Sequence, residues 1–204
     1  RISQRVDQVR DMLKAGVIGV GAMGQHHARV YAQLEDVDLV GVADPCHDAG
    51  RQIARLYHGK AYSDYQKLLA EARPDLVTIA VPTALHCEVV CAALTAGCHV
   101  LVEKPMGNTL EDLDRMTQAA RQSDRKTHVG QILRFNPFFA KVKELCADGT
   151  LGEIFYLEGD YIHALLCQAD AARIDPNIGN INWYLDHEKP IVGGGVHPFD
   201  LLRW

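Results

Sequence analysis

The chain has 204 residues, 48% of them apolar and 23% charged, with a formal net charge of −5 at pH 7. This is the balance of a globular protein able to bury the core of one large domain or one and a half ordinary ones. The negative charge leaves no basic surface for nucleic acid and no polybasic membrane anchor. No apolar run approaches the ~18 residues of a spanning helix, and no leader-like segment precedes the first predicted strand, so the expected setting is cytoplasmic.

Residues 1–14 are polar, with Val6, Val9 and Leu13 spaced as in a short amphipathic helix. A short apolar run, Gly16-Val17-Ile18, then leads into Gly19-Val20-Gly21-Ala22-Met23-Gly24, and residues 26–34 have helical periodicity. A second apolar run, Val40-Gly41-Val42-Ala43, ends on Asp44, twenty positions after Gly24. Strand, glycine turn, helix, strand and acid are the full context of a dinucleotide-binding fingerprint. Gly19 makes the tight turn, Gly21 admits a pyrophosphate to the backbone, and Gly24 lets the helix pack on the strand. The amides from Ala22 and Met23 onward face the phosphates with the positive end of the helix dipole. Asp44 suits the ribose hydroxyls of NAD and repels a 2′-phosphate. Pro45, Cys46 and His47 follow it, and the nearest arginine, Arg51, falls in the next predicted helix. The reading is NAD over NADP.

Beyond Asp44 the alternation continues. A helix over 49–57, a short strand over 60–62, and a helix over 65–72 stopped before Pro74 lead to an apolar strand over 75–81. A helix from Pro82-Thr83 ends at Gly97, followed by a strand over 98–102. Thr109 with Asp112 predicts a capped helix running to about residue 122. A strand over 127–131 follows, and Asn136-Pro137 starts a helix that ends near Gly149. This rhythm gives an α/β protein with a doubly wound parallel sheet, whose ligand crevice lies at the carboxyl ends of the strands. After Gly149 the pattern changes to one long strand-like stretch over 153–163 and a mixed region to Trp204. The expected organisation is an N-terminal extension (1–14), a Rossmann domain (15–149), and the beginning of an incomplete α/β substrate domain (150–204).

Two segments carry candidate chemistry. In Val100-Leu101-Val102-Glu103-Lys104-Pro105 a charged pair directly follows a buried strand at the cofactor end of the sheet. The proline fixes the chain as it leaves the strand and aims Lys104 into the crevice. A partly desolvated lysine beside a cationic nicotinamide is suited to moving a proton at a substrate hydroxyl. The plainer alternative is a Glu103–Lys104 ion pair at the strand end. In Gly195-Val196-His197-Pro198-Phe199-Asp200 a histidine beyond three glycines can approach a substrate closely, or can simply open a helix. The six cysteines (46, 87, 91, 98, 146 and 167) form no CxxC pair and read as reduced packing residues. The ten histidines show no ligand spacing beside a carboxylate, so no metal is expected.

Taken together, Gly19–Gly24, the Glu-Lys-Pro of 103–105, Gln131-Ile132-Leu133-Arg134-Phe135-Asn136-Pro137, Leu151-Gly152 and residues 193–204 resemble the glucose–fructose oxidoreductase, inositol dehydrogenase and MocA family, over about residues 15 to 204. The resemblance implies a Rossmann domain followed by an α/β domain with substrate contacts and subunit interfaces, in a homo-oligomer. It implies acid/base roles for Lys104 and His197. It also places Pro82, Thr83 and His86 at the nicotinamide half of the cofactor, counts Glu103 and Lys104 among the cofactor-binding residues, and puts Arg134 and Trp183 nearby. Two departures stand out. Gly193 occupies the position where many members have an aspartate, and members run well beyond Trp204, so the chain reads as a fragment or as a naturally shortened reading frame. Three functions remain open: an NAD-dependent dehydrogenase of a sugar, inositol or other polyol, a nucleotide-binding relic without turnover, and a redox-assisted glycosidase or lyase that retains NAD.

Overall fold

A computed structural model describes residues 12–161 and 194–204. The chain divides into two units, Arg1–His128 and Val129–Trp204. The first is built on β1 (Leu13–Ile18), β2 (Val37–Ala43), β3 (Lys60–Tyr62), β4 (Leu76–Ile79) and β5 (His99–Val102), and ends within β6 (Thr127–Val129). They lie in the order β3-β2-β1-β4-β5-β6. The pairs β1–β2, β1–β4, β2–β3 and β4–β5 are parallel, with Ile18 opposite both Ala43 and Ile79. Parallel neighbours need crossovers, and α1 (Ala22–Tyr31), α2 (His47–Leu56) and α4 (His86–Thr95) carry those from β1 to β2, β2 to β3 and β4 to β5, while α5 (Leu110–Gln122) follows β5. The predicted doubly wound sheet is therefore the observed one.

Central strands covered on both faces should be largely apolar, and apart from Lys14 in β1, Asp38 in β2 and Thr78 in β4 those three strands are. Val17, Val42, Val77 and Ile79 are fully buried, each contributing about 1.5–3 kcal/mol through removal from water. Tyr31 is buried among them because its hydroxyl bonds Thr78 Oγ1 at 2.6 Å, and burial pushes its phenol above the ordinary range.

Local signals set the helix ends. Thr109 Oγ1 accepts from the Asp112 amide at 3.1 Å, and Gly97 closes α4 with φ +84°. The helix predicted over 65–72 is a short α3 (Tyr65–Lys67) that widens into a π-helical turn, Leu68–Ala72. It ends at Arg73, whose left-handed φ of +47° precedes Pro74. The helix predicted from Pro82 opens as a 3₁₀ turn, Thr83–Leu85, before α4. Leu13 and Lys14 open β1 instead of closing an N-terminal helix, and the rest of that predicted helix lies outside the described residues.

The second unit contains a 3₁₀ turn (Ile132–Phe135), α6 (Pro137–Ala147) and the helix Val196–Arg203. Asn136 caps α6, its Oδ1 accepting from Phe138 N at 2.9 Å. The strand expected over 153–163 is not formed in its described part, where residues 154–161 have no regular structure and Phe155 is 96% exposed. Bulky residues give strand propensity, but a strand persists only with a ladder partner, and no described strand flanks this one. Among the described residues no helix is long and apolar enough to cross a membrane.

Candidate cofactor and catalytic site

The three glycines of the turn differ in what surrounds them. A Cβ on Gly24 would lie 1.8 Å from Gly19 O, and one on Gly19, at φ +87°, would lie 2.5 Å from Ala80 O. At Gly21 nothing lies within 4 Å. Gly19 and Gly24 are thus fixed by packing, whereas Gly21 leaves open space against its backbone. Gly21 is also the N-cap of α1, no side chain caps that end, and the first turn carries no acid. The amides following Ala22 and Met23 are therefore not claimed by a capping side chain, which is the donor set an anionic pyrophosphate requires. The residues fit a dinucleotide.

Asp44, at the end of β2, is pinned to this turn. Its Oδ2 accepts from Val20 N and its Oδ1 from Cys46 N, both at 2.8 Å. Each oxygen keeps a second lone pair for a ribose hydroxyl. Arg51 belongs to α2 and pairs with Asp48 at 2.8 Å.

At the carboxyl end of β5 the Glu103 amide donates to Ile79 O at 2.9 Å. The Glu103 side chain turns inward. Its Oε1 accepts from His27 Nε2 at 2.8 Å and its Oε2 from the Lys104 amide at 3.3 Å. Burial alone would push this carboxyl up, but the His27 hydrogen bond and attraction, with the Lys104 amide and charge, bring it below the ordinary range. Lys104 is half-buried and Pro105 is buried. Pro82 leads into the 3₁₀ turn that holds the buried Thr83. His86 is 1% exposed, its Nδ1 2.9 Å from Pro105 O and its Nε2 2.9 Å from Val81 O. The ring thus bridges the ends of β4 and β5, with a neutral imidazole donating to one of the two carbonyls and an imidazolium to both.

In the second unit Arg134 grips Asp200 bidentately, Nε to Oδ2 at 2.7 Å and Nη2 to Oδ1. These bonds raise the guanidinium further above its already high range. Arg134 also lies over the Trp204 ring, 5.8 Å from its centroid. Lys143 sits 4.0 Å over the same ring and donates to Trp204 O at 2.8 Å. His197 is 5% exposed, with Tyr161 5.2 Å from its ring. The expectations for Trp183 and Gly193 lie outside the described residues.

Within the first unit, contacts therefore link Gly19, Gly24, Asp44, His86, Glu103 and Lys104, and within the second, Arg134 joins the helix that carries His197. Sequence reasoning gave no role to His27, Asp200 or Trp204. The signal for His27 was its place one helical turn after Gly24, facing the sheet. Buried Cys98 donates to Pro74 O at 3.1 Å, and burial pushes its thiol up to about 11, so it is an inert packing group. Among the described residues no group of three or more His, Cys, Asp or Glu could hold a metal. An open concavity lined by Gln66, Arg73, Asp75, Gly97 and Arg125 lies at the amino ends of the strands, away from the end where such sheets bind ligands.

An open parallel sheet whose strand order reverses at β1, with an uncapped glycine turn and a pinned acid beside it, defines a dinucleotide-binding Rossmann protein. Residues 13–131 match the model of the oxidoreductase family with an NAD-binding Rossmann fold, GFO/IDH/MocA. The chain is 34% identical to the myo-inositol 2-dehydrogenase of Thermotoga maritima over 94% of its own length and 54% of that protein's. It is 29% identical to the D-glucoside 3-dehydrogenase of Escherichia coli, over 90% of this chain and 49% of the other. The scyllo-inositol dehydrogenase of Lactobacillus casei, solved with NAD(H) and scyllo-inositol, shares the fold with a TM-score of 0.82 at 22% identity, over 95% of this chain and 56% of that one. The chain belongs to the glucose–fructose oxidoreductase, inositol dehydrogenase and MocA family. It spans about half the length of the curated relatives it matches.

Proposed function

We propose that the chain is the cofactor-binding part of an NAD-dependent dehydrogenase acting on a hydroxyl-bearing carbon of an inositol, sugar or other polyol. Residues 15–149 form its NAD-binding domain and residues 150–204 the start of its substrate domain. The observation that carries this reading is the turn at the end of β5, where Lys104 follows a Glu103 fixed to the glycine-turn helix. The names of the inositol and glucoside dehydrogenase relatives support the substrate class. When bound, NAD supplies the hydride acceptor. Lys104 takes the proton of the substrate hydroxyl as its carbon is oxidised to a carbonyl, and His197 assists that transfer. Asp44 orients the ribose, Ala22 and Met23 help form the amide end of α1 that receives the pyrophosphate, and Pro82 and Thr83 face the nicotinamide half. Arg134, clamped on Asp200, holds the helix of His197, and Trp183 contributes near the cofactor.

Fluorescence titration with NADH followed by a polyol screen tests the reading. Turnover of added NAD supports it. Tight NAD with no exchange points instead to a redox-assisted glycosidase or lyase, and binding without any turnover points to a nucleotide-binding relic.

A further inference from the structure

We propose that His27 is a positioning residue for Lys104, linking the helix of the glycine turn to the turn from which the lysine projects. The inference rests on the reading that Lys104 faces the cofactor. His27 lies one helical turn after Gly24 in α1, and its Nε2 donates to Glu103 Oε1 at 2.8 Å, with the two side chains only 19% and 11% exposed. The other carboxylate oxygen accepts from the backbone amide of Lys104. An unbroken path of two hydrogen bonds thus runs from α1 through Glu103 to the lysine backbone. The Glu103 amide, bonded to Ile79 O, fixes the near side of the turn to β4. His86 fixes the far side, its ring nitrogens on Val81 O and Pro105 O. Both flanks of Lys104 are therefore held by buried polar contacts.

The simpler alternative is that His27 only satisfies a buried carboxylate. Yet a buried ion pair is a poor source of stability, and an apolar pair of similar volume commonly does as well or better. What the polar pair adds is direction. A carboxylate gripped from both sides holds its hydrogen-bonded neighbours in one geometry, as the outer partners of catalytic groups do. Loss of His27 leaves Glu103 free to leave its place, and the backbone of Lys104 loses its anchor.

The test measures acylation of Lys104 in the 204-residue chain, peptide by peptide, with and without saturating NADH. The ratio of the two rates reports whether the amine lies against the cofactor, and it cancels changes in intrinsic reactivity. In the wild-type chain NADH protects Lys104. In His27→Ala the protection falls about tenfold, the equivalent of one lost hydrogen bond to a charged group, while the NADH Kd stays within a few-fold. His27→Gln, which keeps an N–H donor, restores most of it. A role confined to stability would lower the melting temperature and leave the protection of folded protein unchanged. If His27→Ala does not melt cooperatively, the paired replacement His27→Leu with Glu103→Met removes the buried charge together with its partner and is read in its place, with the same loss expected. Undiminished protection in the folded variant, or failure of glutamine to restore it, overturns the inference alone. No protection in the wild-type chain overturns the placement of Lys104 beside the cofactor, and the inference with it.

Discussion

The two units hold their polar groups by opposite means. In the first, Asp44, Glu103 and His86 project from elements whose positions are set by a dry core of Val17, Val42, Val77 and Ile79. In the second, no apolar side chain among the described residues is buried, while His197 is. Phe135, Phe138 and Phe199 are all more than 60% exposed, and the helix of His197 is held by the Arg134–Asp200 pair and by two cations over Trp204. The contrast teaches that a packed sheet can impose side-chain geometry from local sequence. A helix without such a core depends on charged contacts between distant residues, which water and salt weaken.

The largest test separates chemistry from framework. Lys104→Ala in the full-length protein should cost about 10²–10⁴ in turnover, the usual contribution of a general acid or base, while NADH affinity stays within a few-fold. Near-full turnover would remove Lys104 from the mechanism. Next comes the framework itself. Gly24→Ala places a methyl into Gly19 O and should destabilise the first unit by about 3 kcal/mol, whereas Gly21→Ala, with open space, should leave melting nearly unchanged and weaken NADH binding. Equal melting of the two variants would break the division of labour among the glycines. Asp44→Ala should narrow a preference for NAD over NADP that we expect to be at least about tenfold, or ~1.4 kcal/mol, measured as the ratio of the two dissociation constants. Equal affinities in the unmodified chain would sink the assignment.

Two smaller effects sharpen the comparison. Arg134→Ala should loosen the helix of His197 by about 1 kcal/mol, given the exposure of the arginine. Amide exchange in residues 196–203 would report it, and the difference should shrink at high salt while core variants of the first unit keep theirs. Smaller still is an acid effect at Glu103. Its folded carboxyl is held below its unfolded value, so its contribution is present above the unfolded value and is lost as pH falls through the lower folded one. Glu103→Gln should flatten the acid limb of the stability curve. An unchanged acid limb would mean the carboxylate is not held as described.

Much of this was legible in the sequence because the determinants of a doubly wound sheet are local. The Thr109 and Asn136 caps, the Gly97 stop and the Gly19–Gly24 packing each act within a few residues, and Asp44, though its Oδ2 reaches back to Val20 N, is marked by its place at the end of an apolar run. The His27–Glu103 bond was invisible because it joins positions 76 apart, and neither residue carries a local mark of the other. His86 read as a cofactor contact, yet its ring nitrogens lie against two carbonyls that only the fold brings together. The stretch over 153–163 misled for the same reason. Bulky residues state what a chain prefers beside a partner strand, and propensity does not say where the partner is.

The strand order has a consequence for synthesis. β1 is built first yet sits in the middle, with one neighbour, β2, arriving within about 25 residues of it and the other, β4, only at Leu76–Ile79. A nascent chain that has emerged as far as Tyr62 can close β1, β2 and β3, but it presents the open side of β1, the strand that carries Val17 and Ile18, to the surrounding medium. Pauses in translation between β3 and β4 would prolong that exposure, at the time when an unpaired apolar edge recruits other chains most readily.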